Sequence, residues 1–297
     1  MCASDLCFEA AEKLLQELNW DKASIDIVIF VSQSSDYYLP ATAILLQNRL
    51  GLNKSTLAFD VSLGCSGYIY GLNIISSMMS SGILKRGLLL VGDISTNSTN
   101  YKDKSSFPLF GDSGSATALE FDQIAKPMLF SMGSDGSGSN AIIIPGGGTR
   151  NKFNENSLTE EIISEGITRH QLNIILEGLD IFNFSIKEVP KNISSLLSEA
   201  SKTVDDIDFF VLHQANRIIN ETIRKKLKIE SEKVPYSIGQ YGNTSSGSIP
   251  LTIQTELNHI LMSGNHRMIL SGFGVGLSWG SVMLSTSSLT IPKLIEV

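Results

Sequence analysis

Short solid runs of apolar residues alternate along this chain with stretches whose apolar positions recur at helical spacing. Ile25-Asp-Ile-Val-Ile-Phe-Val31, Leu57 to Val61, Gly87 to Asp93 and Ile207 to Leu212 have the length and density of strands buried on both faces. The segments from Ser4 to Leu18 (Ser4 as N-cap), from Pro40 to about Leu50, from Tyr68 to Met79, from Val189 to Ser201, from Asn216 to Leu227 and from Ser248 to Leu261 read as helices. Phe110 to Phe121 is expected to be a turn entering a strand, and Arg267 to Leu284 two strands joined by a glycine-rich turn. Residues 131–157 read as an irregular loop with one extended piece, Ala141 to Ile144. Thr159 to Leu176 is expected to be a helix and Leu179 to Ile186 a strand.

The pattern repeats. Forty residues separate Ile25 from Cys65 and Ile207 from Gly247, and twenty-three separate Cys65 from Leu88 and Ser245 from Met268. Strands alternating with helices predict an α/β protein with mostly parallel, covered sheets, built as an N-terminal half over 1–176 and a C-terminal half over 177–297. The second half opens on its expected strand at Leu179; the first opens directly on a helix, so its first strand is expected to be missing and its sheet to carry a gap.

One stretch concentrates the candidate chemistry. The apolar run from Leu57 ends in Gly64-Cys65-Ser66-Gly67, and a helix is expected to begin at Cys65. A thiol there would feel the positive helix end and the unpaired N–H groups, which lower its pKa. A small buried core cysteine is the plainer alternative. Ligands of such sheets collect beyond the carboxyl ends of the strands. Cys65, His213 and Asn243 all fall at those ends or in the turns just after them. A thiolate forms thioesters, glycine-turn N–H groups bind oxyanions, and a His–Asn pair supplies two neutral donors suited to a carbonyl becoming an enolate.

Composition narrows the classes. The 297 residues are 42% hydrophobic with a net charge of −7, which gives ample core and argues against a general nucleic-acid binder. No apolar run reaches membrane-spanning length, and no signal-peptide pattern is present. Three cysteines without a CxxC pair fit a reducing, cytoplasmic location, and four scattered histidines make a metal site unexpected. Gly133 to Gly138 lacks the ending of a phosphate-binding loop.

Four ordered motifs carry a resemblance: Ala58 to Tyr68 around Cys65, Leu212-His213-Gln214-Ala215-Asn216, Gly242-Asn243-Thr244-Ser245 to Pro250, and Phe273-Gly274-Val275-Gly276 to Gly280. Together with Phe110-Gly111-Asp112 and Pro40 to Ala43, they resemble the β-ketoacyl-[acyl-carrier-protein] synthase III family over nearly the whole chain. The resemblance implies a duplicated thiolase fold and a decarboxylative Claisen condensation in fatty acid biosynthesis. Cys65 would accept an acyl group from acyl-coenzyme A. His213 and Asn243 would hold the malonyl-[acyl carrier protein] thioester, and the N–H groups of Cys65 and Gly276 would form the oxyanion hole. It further implies a homodimer, with Leu39 beside Pro40 reaching the partner's acyl pocket, and Asn216 and Phe182 in the substrate channel. No cofactor beyond the thioester substrates is expected, and neither nucleic acid nor membrane is expected as a partner.

Arg217, Arg224, Lys225 and Lys226 would dock the acidic carrier protein, although that helix could equally present a solvated basic face. Arg217 stands one position earlier than the family's arginine, turned by about 100°. The family's Gly-Asp-Gly is here Gly111-Asp112-Ser113. Its adenine-binding Trp and Arg have no assignable counterpart. Degradative thiolases need a late second cysteine, elongating relatives two histidines, and cysteine peptidases a different motif around the nucleophile. A polyketide-type ketosynthase and a non-catalytic partner subunit stay open as alternatives.

Overall fold

The computed structural model describes residues 1–297. The first sheet is built from β1 (Ile27–Val31), which follows α1 (Ala3–Leu18) and precedes α2 (Thr42–Arg49), and from β2 (Leu57–Val61). After α3 (Gly67–Met79), β3 (Arg86–Asp93) and β4 (Ser113–Glu120) complete it in the order β2-β1-β3-β4. Both neighbours of β1 run parallel to it, and β4 is antiparallel to β3. The five residues of β1 are all buried, and alternation sends them to two different cores. Ile27, Ile29 and Val31 pack with α3; Val28 and Phe30 pack with α1 and α2.

Between the halves lie β5 (Leu129–Ser134), β6 (Ile142–Ile143), the hairpin β7 (Glu161–Ser164) and β8 (Ile167–Arg169), and β9 (Ile175–Leu176), which pairs with β6. The second half continues with α4 (Gly178–Glu199), β10 (Phe209–Leu212), α5 (Arg217–Leu227), the single turn α6 (Ile238–Tyr241), α7 (Ser248–Glu256), α8 (Asn258–Leu261), β11 (Asn265–Gly274) and β12 (Ser278–Ser287). Its sheet has the order β10-β11-β12-β5. The parallel pair followed by an antiparallel strand in β1-β3-β4 recurs as β10-β11-β12, so the internal repeat is real at the level of topology. One core joins residues of α3, α7 and the inner faces of both sheets. The other two lie outside, under α1 and α2 on one side and under α4 and α5 on the other. The result is five layers, helix–sheet–helix–sheet–helix.

Several expectations are overturned. Leu179 to Ile186 is not a strand but the start of α4. Its Leu-Asp-Ile-Phe-Asn-Phe alternation misleads locally, yet Phe184, Val189, Ile193, Leu196 and Leu197 bury one helical stripe. The strand that opens the second sheet is β5, hidden in the Ser/Gly-rich stretch and paired antiparallel with β12. It lies upstream of the boundary expected at 176–177. Because β5 sits at a sheet edge, the matching position in the first sheet is also an edge, beside β4, and no central ladder is broken. Thr159 to Leu176 is no helix. The β-branched Ile162, Ile163, Ile167 and Thr168 form the hairpin, which turns at Gly166 with φ +73°. A buried Arg169–Asp103 ion pair ties that hairpin to the loop after β3. Cys2, not Ser4, caps α1, and Ser4 donates instead to Asp36. The helix expected over Ser248 to Leu261 breaks at Leu257 into α7 and α8.

Pro190 lies inside α4, where it has no N–H for the Ile186 carbonyl one turn back. Lys226 on α5 supplies the missing donor: its Nζ lies 2.9 Å from the Ile186 oxygen.

Candidate active site

Cys65, His213 and Asn243 line one cavity of about 910 Å³, opening beyond the carboxyl ends of β3 and β10. Cys65 sits two residues before α3, on the turn between β2 and that helix, and Ser66 occupies the N-cap position. The turn is pressed against the second half. A Cβ on Gly274, at the end of β11, would lie 2.8 Å from the Cys65 sulfur, closer than real carbon and sulfur atoms approach. The next residue, Val275, lines the same cavity, and its backbone is among the groups that oppose the rise of the Cys65 pKa. Gly276 does not line the cavity, whereas Gly274 and Val275 do.

The thiol is not activated in the way its sequence position suggests. Burial pushes its pKa up, and the nearby Asp93 charge adds to this. The Val275 N–H and the Ser245 hydroxyl pull the other way without prevailing. Cys65 is therefore a neutral thiol in the resting protein.

His213 follows the last residue of β10 and is fully buried. Its Nδ1 lies 2.7 Å from the Ser248 hydroxyl, and its ring stands edge-on to Phe273 with centroids 5.6 Å apart. Burial pushes its pKa down to about 3, against a smaller upward pull from the Ser245 carbonyl. The imidazole is thus neutral, and its Nε2 has no partner within the chain.

Asn243 is held from both sides. Its N–H donates to Leu109 and its carbonyl accepts from Gly111, which stitches the turn to the loop before β4. A Cβ on Gly111 would collide with the Tyr241 carbonyl at 2.0 Å, so this approach needs glycine. The Asn243 side-chain oxygen accepts the Ser245 N–H at 3.0 Å, leaving the amide nitrogen for the cavity.

Asp93, at the end of β3, fastens the two halves beneath these groups and is 2% exposed. One carboxylate oxygen accepts from the Ser32 hydroxyl at 3.0 Å and the Gln33 N–H at 2.8 Å. The other accepts from the N–H and hydroxyl of Ser246. Sequence reasoning gave no role to Asp93 or Ser248, and named Phe273, Gly274 and Val275 only as members of a motif. The Phe273 to Gly276 motif marks the turn, of which Phe273, Gly274 and Val275 line the cavity.

The remaining site expectations divide. Asn216 lines the cavity and caps α5 by accepting the Ile218 N–H. Phe182 packs on the outer core beside α5, while its neighbours Ile181 and Ser185 face the cavity. Leu39 is 82% exposed on the loop before α2, away from this chain's own cavity. Arg217 stacks over Tyr236, with its guanidinium carbon 4.9 Å from the ring centre. Arg224 pairs with Glu221 and caps the Ile229 carbonyl, and Lys226 serves Ile186; Lys225 alone of the four is without such a contact. No group of three His, Cys, Asp or Glu side chains has the arrangement of a metal site.

Comparison with known proteins points one way. A family profile described as 3-oxoacyl-[acyl-carrier-protein (ACP)] synthase III matches residues 59–136, and the profile of its C-terminal part matches 197–286. A β-ketoacyl-[acyl-carrier-protein] synthase III from Streptococcus uberis is 32% identical over 283 residues, covering 95% of this chain and 84% of that protein. A Campylobacter jejuni relative, provisionally named a 3-oxoacyl-[acyl-carrier-protein] synthase 3, is 38% identical over 295 residues, covering 97% and 80%. The crystal structure of a 3-oxoacyl-(acyl-carrier protein) synthase from Burkholderia xenovorans superposes with a TM-score of 0.93 at 41% identity, covering all of this chain and 83% of that one.

Two outcomes are expected. Gly274→Ala should slow alkylation of Cys65 by iodoacetamide roughly tenfold or more, because the added methyl overlaps the sulfur. The second concerns His213, which in the unfolded chain would titrate near 6.5. Its folded pKa is depressed, so the unfolded state binds the extra proton between about pH 3 and 6.5. Its contribution to stability is complete above that window and is lost as pH falls through it, by about 1.4 kcal/mol per pH unit. Urea unfolding should approach this slope between about pH 6 and 5 in the native protein and show no such contribution above about pH 6.5, and His213→Phe should lack it.

Proposed function

Given that the chain belongs to the 3-oxoacyl-[acyl-carrier-protein] synthase III family, we propose that Cys65, His213 and Asn243 are the catalytic residues of its decarboxylative condensation. The enzyme is an acyltransferase of fatty acid biosynthesis with a thiolase-like fold. The single observation that carries the residue assignment is the convergence of a thiol, a neutral imidazole and a carboxamide on one cavity.

The Cys65 sulfur attacks the thioester carbonyl of acyl-coenzyme A. The N–H groups of Cys65 and Val275 receive the developing oxyanion; Val275, the neighbour of Gly276 in the same turn, is the one that lines the cavity. Coenzyme A leaves as the thiol, taking the proton of Cys65. Malonyl-[acyl carrier protein] then enters, and its thioester oxygen accepts hydrogen bonds from His213 Nε2 and Asn243 Nδ2. The bond to the carboxylate breaks, carbon dioxide departs, and the electron pair enters the enolate that these donors stabilise. The enolate carbon attacks the acyl-Cys65 carbonyl. Collapse of the adduct expels the sulfur as a thiolate, which takes one proton from solvent to restore the resting thiol, and releases the 3-oxoacyl thioester. A neutral imidazole suits this work: it keeps its proton through the reaction and offers a hydrogen bond without titrating at working pH.

Every step uses groups of the chain or of the two thioesters, so no cofactor enters. The cytoplasm, where both thioesters form, is the place of action. A second copy of the chain pairs along β2, an edge strand whose Asp60 holds the start of α2. Tyr38 and Leu39, on the loop before α2, are 94% and 82% exposed in the single chain and cover the partner's acyl pocket. The exposed Lys225 meets the acidic carrier protein.

Mass spectrometry after incubation with acyl-coenzyme A should find one acyl group on the native protein and none on Cys65→Ala. His213→Ala and Asn243→Ala should keep acylation within about threefold of the native rate yet lower malonyl decarboxylation by roughly 10²–10³-fold. Equal loss in both half-reactions would remove the assignment. Sedimentation velocity should give a dimer, and Tyr38→Glu combined with Leu39→Glu should shift it toward monomer.

A further inference from the structure

An imidazole that must offer a proton from Nε2 needs something to keep that proton there, since a neutral ring can carry it on either nitrogen. The hydrogen bonds around Ser248 make the choice. Its hydroxyl oxygen lies 2.7 Å from His213 Nδ1 and 3.3 Å from the Gln214 backbone nitrogen. The Gln214 N–H can only donate, so it occupies a lone pair of the serine oxygen. The serine proton then has one acceptor within hydrogen-bond distance, the Nδ1 lone pair. Were Nδ1 to carry the ring proton and donate it, the hydroxyl proton would be stranded at a residue 1% exposed, an unmade hydrogen bond shielded from bulk solvent.

We propose that Ser248 is a positioning residue that locks His213 in the tautomer carrying its proton on Nε2, facing the cavity. The inference rests on the reading of His213 as a donor to the malonyl thioester. Ser248 is the first residue of α7, five positions after Asn243. The parallel with Asn243 is close: there the Ser245 N–H claims the amide oxygen and so directs the amide nitrogen outward. One six-residue stretch, Asn243 to Ser248, thus sets the polarity of both donors, one by a backbone N–H and the other by a hydroxyl. Neither Ser245 nor Ser248 needs to touch substrate for this.

The test reads the ring directly. Long-range ¹H–¹⁵N spectra of ¹⁵N-histidine-labelled native protein at pH 7 should show His213 protonated at Nε2, with Nδ1 as an acceptor. Ser248→Ala should give a mixture of tautomers, lower malonyl-[acyl carrier protein] decarboxylation roughly tenfold, and keep acyl transfer to Cys65 within about twofold. Ser248→Thr, which retains the hydroxyl, should restore both the spectrum and the rate. A native ring protonated at Nδ1 would overturn the proposal. So would a Ser248→Ala protein with an unchanged tautomer, or one that loses both half-reactions in proportion. Survival of decarboxylation in His213→Ala would instead remove the catalytic reading beneath it, and the spectrum of the native ring would still decide the tautomer.

Discussion

The meeting of the two halves rests on a buried charge. Asp93 ends the strand β3 with a carboxylate almost wholly out of water, and such a group is tolerable only when its lone pairs are filled. Four donors fill them. Two come from Ser32 and Gln33 of the first half and two from Ser246 of the second. Ser246 belongs to the turn that carries Asn243, so this one anion ties the nucleophile's half directly to the donors' half. The same charge acts on chemistry as well as on packing: it disfavours a second negative charge at Cys65 and helps keep the sulfur protonated until substrate arrives.

The resulting site is electrically quiet. A thiol, a neutral imidazole and a carboxamide are the groups that meet substrate; the Asp93 anion beside them is fixed, and new charge appears only during reaction, on oxygen atoms of the substrates. Neutral donors fixed in advance can meet such charge without rearranging, which is where preorganised hydrogen bonds are most effective. Fixing them takes close contact between backbones. Gly111 lets the first half reach the Asn243 turn, and Gly274 lets the end of β11 reach the sulfur.

Much of this was legible in the chain because it is written in contiguous motifs at strand ends. The Gly64 to Gly67 turn, His213 to Asn216 and Gly242 to Ser245 each announce a special position, and the repeat spacing puts them on one side of the sheets. What was not legible depends on partners distant in sequence. The upward shift of the Cys65 pKa comes from burial under β11 and from Asp93, neither visible in the local stretch. Ser248 is one serine among several, and only its place beside Nδ1 distinguishes it. The segments misread outright, 159–176 and 179–186, have local patterns compatible with two structures. The first became a hairpin bound by the Arg169–Asp103 pair and the second a helix buried along one stripe. Likewise β5, poor in strand formers at Ser131, Gly133 and Ser134, is recruited by β12 rather than by its own composition.

The hydrogen bond from Lys226 to Ile186 bears on how the basic face of α5 is to be understood. Proline at 190 leaves a carbonyl without its helical donor, and the lysine of the adjacent helix repairs the defect. Cation and proline are therefore a matched pair. A relative with an ordinary residue at the proline position would close its own helix and release the lysine to solvent. Across such relatives the two positions should drift in concert, because the ammonium at 226 mends the neighbouring helix whatever else it meets.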